Sequence, residues 1–377
     1  MPSLHLSSRY AGGNIRLIRI EDRTRVVRLE QDLRDTPNGW FYWSFCACFD
    51  TESSASSAPC TYTFEFMNGE VVGPWGPAVS KDGVRWEWLG TEYTMSRTAF
   101  RYTFEAGESV YFCFCMPYQL HHFERFYAEI APHPLVRREV LVLTEQLRPV
   151  PLLRIGNPSA DRHILLTCRH HACESTPSYL LEGLITHCIT KLKASFLRHI
   201  LIHYIPFVDL DGVENGDQGK GRVPHDHNRD YIKEPLYRTT AAIMDYAGKL
   251  KPEAGIDFHS PYKWGDRNDA PFIVKRGSPM KEENERFGAM LAAAGHRTEG
   301  SEGRIRYDPV HDIEMGEDWN TPHGTNCSAF FERLGARLAL TLEFPYFGSE
   351  GTVFTQQSCR AFGADVAEAL QAYLLER

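Results

Sequence analysis

The stretch Arg169-His170-His171-Ala172-Cys173-Glu174 sets a histidine and a glutamate three residues apart, and chemistry is first legible there. At that H-x-x-E separation a helical turn or tight loop presents an imidazole nitrogen and a carboxylate oxygen to one cation. His259, in GIDFH (255–259), offers a third ligand of suitable type. Two histidines and a glutamate form a catalytic zinc arrangement that keeps one position open for water. Asp257 is positioned either to orient that block or to act as a plain hydrogen-bonding loop residue. His225 and His227 form a competing H-x-H metal pair, with solvent-facing or supporting roles as their alternative reading.

These groups need elements to hold them. HILLTC (163–168), LIHYIPFVDL (201–210), GIDFH (255–259) and LALTLEF (338–344) read as buried strands. Helical patterns occupy 179–197, 239–250, 281–295, 328–338 and 365–376. Strands alternating with helices predict an α/β domain over 126–377, with a mostly parallel mixed sheet and flanking helices. The ionisable residues then fall at strand ends: His171 and Glu174 after the first run, Asp209 and Asp211 closing the second, His259 the third and Glu343 the fourth. An open sheet of this kind places its site in the crevice at the carboxyl ends of its strands.

Residues 1–125 differ in pattern. WFYWSFCACF (40–49), YTFEFMN (62–68), VRWEWL (84–89), AFRYTFEA (99–106) and SVYFCFCMPY (109–118) are aromatic and β-branched, with turns at Asn38-Gly39, Asn68-Gly69 and Asp82-Gly83. They predict an amino-terminal all-β sandwich that acts as scaffold or substrate-shaping wall. TESSASSAP (51–59) reads as a loop.

The formal charge of -8 and the lack of a basic stripe argue against nucleic-acid binding. No signal-peptide pattern and no apolar run of about 18 residues is present, so a cytoplasmic chain without a membrane span is expected. The ten cysteines are dispersed, several in alternating apolar runs, and read as small buried thiols in a reducing compartment. The loop DLDGVENGDQGKGRVPHDHNRDY (209–231) carries Lys220, Arg222 and Arg229 and suits negative charge, but lacks the order of a phosphate-binding loop.

Five blocks in order resemble the zinc carboxypeptidases, specifically their cytosolic carboxypeptidase-like branch: RHHACESTPS (169–178), DLDGVENGDQGKGR (209–222), DHNRD (226–230), GIDFHSP (255–261) and LTLEFPYFG (340–348). The resemblance covers about residues 130–377, and the preceding β domain looks like that branch's amino-terminal sandwich. It implies one Zn2+ per chain held by His171, Glu174 and His259. It also implies that Glu343 is the general base, that Asn228 and Arg229 grip the α-carboxylate of a peptide or protein C-terminus, and that a loop arginine steadies the oxyanion. Guanidinium geometry favours Arg222 over Lys220 for that last role. The sequence departs from the family in two places: Ala172-Cys173 replaces the usual proline and glycine, and no tyrosine precedes Glu343 at the expected distance, where Trp319, His323 and Asn326 stand instead. The implied activity is removal of C-terminal amino acids, and the basic loop is compatible with acidic ones. The alternative is a zinc amidase or deacylase acting on a cell-wall peptide or small N-acyl substrate.

Overall fold

The computed structural model describes residues 3–50, 58–192, 194–296, 304–322, 324–349 and 352–375. His323 and most of the 51–59 loop lie outside them. Near the amino terminus, two five-stranded sheets face each other. Their inner faces bury Trp43, Phe45, Phe64, Phe100 and Phe112 in one aromatic core. Alternation along Cys60–Phe66 shows why: every second side chain is buried, as a half-covered strand requires.

The second core surrounds a seven-stranded sheet. Its spatial order is Val136–Leu143, Pro149–Gly156, Ile200–Ile205, Arg162–Cys168, Ala254–His259, Leu338–Glu343 and Phe272–Val274. The central four strands run parallel, while both edges are completed by antiparallel partners. The strands Ile200–Ile205, Ala254–His259 and Leu338–Glu343 are buried at every position, which explains why they are predominantly apolar. Helices Thr176–Thr190 and Gln356–Leu375 pack on each other so closely that a Cβ on Gly183 would sit 1.9 Å from the Arg360 carbonyl oxygen.

Three details differ from the sequence reading. The helix expected over 179–197 is two, Thr176–Thr190 and Ala194–His199. The first two strands of this sheet, between 136 and 156, are absent from the sequence reading, because their burial does not follow one clean period. The boundary expected at residue 125 falls inside the helix Leu120–Ile130, whose Phe123, Phe126 and Ile130 join the second core. All ten cysteines are free thiols, nine of them buried. Among the described residues, no helix is long and apolar enough to cross a membrane.

Candidate active site

The chain leaves the central strand Arg162–Cys168 through Arg169, a non-glycine residue at φ +64°, strained by roughly 1–2 kcal/mol. Its buried guanidinium stabilises the turn by donating to the carbonyls of Ala172, three residues on, and Tyr118. The sharp turn sends the next two imidazoles to different partners. His171 Nδ1 lies 2.7 Å from Glu174 Oε1, and His259 Nδ1 lies 2.8 Å from Glu174 Oε2. Ligand atoms of His171, Glu174 and His259 all fall within 4.8 Å of one another. The outward nitrogens are held by carboxylates: His171 Nε2 is 3.2 Å from Asp226, and His259 Nε2 is 2.7 Å from Asp257. Each outer partner fixes a ring so that its Nδ1 faces the same point, the support a metal-bound imidazole normally has. These residues therefore fit a zinc ion.

Behind this set lies a fully buried chain. Asp257 also reaches His170 Nδ1 at 2.9 Å, and His170 Nε2 is 2.6 Å from the Tyr231 hydroxyl. With Cys327 these form a second grouping of possible ligands. Asp257, His170, Tyr231 and Thr167 bond one another, and Cys327 Sγ lies 3.4 Å from Thr167 Oγ1, so the grouping is a hydrogen-bonded support. Neither grouping includes His225 or His227. His227 stacks on Tyr237 with ring centroids 3.6 Å apart, and His225 lies 3.4 Å from Asp230. The competing histidine pair is thus not assembled as a three-ligand cation site. Cys173 belongs to neither grouping. It accepts from Gln218 Nε2 at 3.2 Å, and burial pushes its thiol up to about 12.

A cavity of about 350 Å³ opens beside the ligand set, and His171, His259, Lys220, Asn228, Arg229 and Glu343 all line it. Parallel pairing puts His259 and Glu343 side by side at the strand ends. Glu343 is buried and its Oε2 has no partner among the described residues. Burial pushes its carboxyl up to about 7, against the pull of His259 and Lys220. Trp319 and Asn326 also line the cavity.

Lys220 and Arg222 are separated by the fold. Lys220 lies 2.6 Å from Glu174 Oε1 and donates to the Ser260 carbonyl at 2.6 Å. Arg222 is not among the cavity-lining residues; its guanidinium pairs with Asp209 at 2.6 Å, Asp35 at 2.9 Å and Asp217 at 3.3 Å. Gly219 allows this loop to lie on the ligand turn: at φ +83°, any Cβ there would come within 2.3 Å of the Ala172 nitrogen. The β domain clamps the same loop through Arg34 to Asp217 at 2.8 Å, and through the Tyr42 N–H to Gln218 Oε1 at 2.8 Å. Replacing Arg222 with alanine leaves buried Asp209 without its cation, so a loss of about 3 kcal/mol in unfolding free energy is expected by denaturant titration. Unchanged stability would refute this structural role.

Sequence reasoning overlooked several cavity residues. Trp40, from the β domain, and Tyr262 line the opening with ring centroids 5.8 Å apart. Tyr262 stands three residues after His259, which was a usable signal, and Asp226, which opens the DHNRD block, supports His171 without lining the cavity. Nothing local marks Trp40.

No protein-family model matches the sequence. The chain is 31% identical over 179 residues to cytosolic carboxypeptidase 6 of Caenorhabditis elegans, covering 43% of this chain and 39% of that protein. It therefore spans less than half the length of the curated relatives it matches. Among solved structures, a metallo-carboxypeptidase from Burkholderia cenocepacia superposes with a TM-score of 0.77 at 18% identity, over 99% of both chains. A metallo-carboxypeptidase from Pseudomonas aeruginosa, solved with (2-guanidinoethylmercapto)succinic acid, gives 0.77 at 18% identity over 98% of this chain and 99% of that one. The fold is thus that of the metallo-carboxypeptidases, β domain included. The sequence likeness runs to the cytosolic branch of the zinc carboxypeptidases.

Proposed function

We propose that this chain, a relative of the zinc carboxypeptidases, is itself a metallocarboxypeptidase that hydrolyses the C-terminal peptide bond. The observation that carries the reading is a single cavity lined by both histidines of a two-histidine, one-glutamate ligand set, by Glu343 with its buried Oε2 unpartnered among the described residues, and by an arginine. Zinc, when held by His171, Glu174 and His259, would supply a Lewis acid that polarises the scissile carbonyl and acidifies water. Glu343 Oε2 takes a proton from the attacking water and delivers it to the departing amine as the carbon–nitrogen bond breaks. Asn228 and Arg229 receive the terminal α-carboxylate, with Arg229 offering a two-pronged donor.

Arg222 was the expected oxyanion partner. Its three carboxylate contacts commit it elsewhere, and we assign that role to Lys220, which lines the cavity next to Glu174. Positive charge there acts where negative charge develops. An acidic terminal side chain would need yet another cation, a requirement that bears on selectivity below.

Purified protein is expected to contain about one zinc per chain, the stoichiometry of a site with three protein ligands. His171→Ala and His259→Ala are each expected to lose it, with the folded state checked by circular dichroism. Full zinc occupancy in both variants, read by elemental analysis, would overturn the ligand assignment. With zinc bound, wild-type enzyme should release free amino acids from peptide C-termini. Release of acyl groups or internal fragments alone would favour the amidase or deacylase alternative.

A further inference from the structure

Part of the cavity lining is uncharged: Val274, Asn320, Thr321, Asn326 and Thr341. Thr341 precedes Glu343 by two residues on one strand, so both face the cavity, about 7 Å apart. Val274 is the register partner of Thr341, and both line the cavity with Asn320, Thr321 and Asn326. Among the described residues, the lining holds two lysine or arginine side chains, Lys220 and Arg229. Arg229 is assigned to the α-carboxylate, and Lys220 is held by Glu174 and the Ser260 carbonyl. The basic residues next to Val274 turn away: Lys275 pairs with Glu314 at 2.9 Å, and Arg276 with Glu332 at 2.9 Å. A terminal glutamate or aspartate side chain would therefore be buried without a cation. A lysine or arginine side chain meets the opposite difficulty, because among the described residues Glu343 is the one carboxylate in this lining and is assigned to proton transfer.

Two polar side-chain atoms of lining residues are nevertheless left without partners. Thr321 Oγ1 and Trp40 Nε1 are buried, without partners among the described residues, and both residues line it. A hydroxyl both donates and accepts, whereas an indole N–H only donates. Orphan polar atoms of this kind are costly until a ligand satisfies them.

Resting on the carboxypeptidase reading, we propose that the pocket selects a C-terminal residue with an uncharged, hydrogen-bonding side chain, an amide or a hydroxyl, and that Thr321 contacts it. The substrate class is thus a peptide ending in a neutral polar residue. This departs from the acidic terminus with which the basic loop alone is compatible.

The test uses peptides identical except for terminal Gln, Glu, Lys or Leu. Release by the zinc-loaded wild type is measured as kcat/KM, and binding to zinc-loaded Glu343→Gln is measured by calorimetry. The Gln peptide is expected to exceed Glu and Lys by at least about 30-fold and Leu by at least about fivefold in both assays. Thr321→Val, nearly isosteric, should lower the Gln peptide about tenfold while leaving Leu within about twofold. Glu, Lys or Leu equalling Gln, or a Gln-to-Leu ratio unmoved by Thr321→Val, would overturn the proposal. Binding in the expected order without cleavage by wild type would reject the carboxypeptidase reading and keep the selectivity. Cleavage in a different order would do the reverse, and neither binding nor cleavage would reject both.

Discussion

Glu343→Gln is expected to slow peptide hydrolysis by at least about 100-fold, the lower end for loss of general acid–base help. Glutamine preserves the shape of the side chain at the end of the buried strand Leu338–Glu343, so the sheet should hold its register. It removes the ability to accept a proton at Oε2, the atom left without a partner beside His259. Glu343 is outside the ligand grouping, so zinc content should stay at about one per chain. The pairing of lost turnover with retained metal is the diagnostic result. Near-normal turnover would remove Glu343 from the mechanism, whereas loss of metal would recast it as a ligand.

Arg229→Ala should cost substrates with a free C-terminal carboxylate about 3 kcal/mol in kcat/KM, roughly 100-fold. The same peptides ending in a carboxamide should lose far less. Arg229 is half-buried and lines the cavity, and its Nη1 donates to the Asn228 carbonyl at 2.9 Å, which restrains the guanidinium. Docking a substrate carboxylate there excludes water from both charges, so removing the arginine leaves the partner charge desolvated and unpaired. Equal losses on acid and amide substrates would make Arg229 a structural residue and favour the amidase alternative.

The two effects separate because the residues sit on different supports. Glu343 is carried by a central strand packed on both faces, whereas Arg229 lies on the short turn His227–Arg229. The turn is held by Asp226, which accepts from the Asn228 N–H at 2.7 Å while facing His171. A fold-wide disturbance would move both substrate series together, and that is what the amide control detects.

By itself, the sequence determined the elements that bear the chemistry. Runs such as GIDFH and LALTLE are mostly apolar, interrupted by Asp257 and Thr341, because parallel central strands are covered on both faces, and the polar residues at their ends then face the crevice. His171, Glu174, His259 and Glu343 were legible as a group for that reason. The aromatic alternation of the first domain was legible on the same grounds, one face buried and one wet.

Only the tertiary structure shows which of Lys220 and Arg222 lines the cavity. They stand two residues apart in a glycine-rich loop with no periodic pattern, so nothing local says which way either points. Their directions are set by distant carboxylates: Asp35 from the β domain and Asp209 draw Arg222 away, and Glu174 draws Lys220 in. The same holds for Trp40, which reaches the cavity because one domain packs on the loop of the other, and for Asp226, whose partner His171 lies 55 residues away in sequence. Periodicity reports burial along one element, and it carries no information about which element another segment will meet. Long-range charge pairing and domain packing supply that information, and they are properties of the folded chain alone.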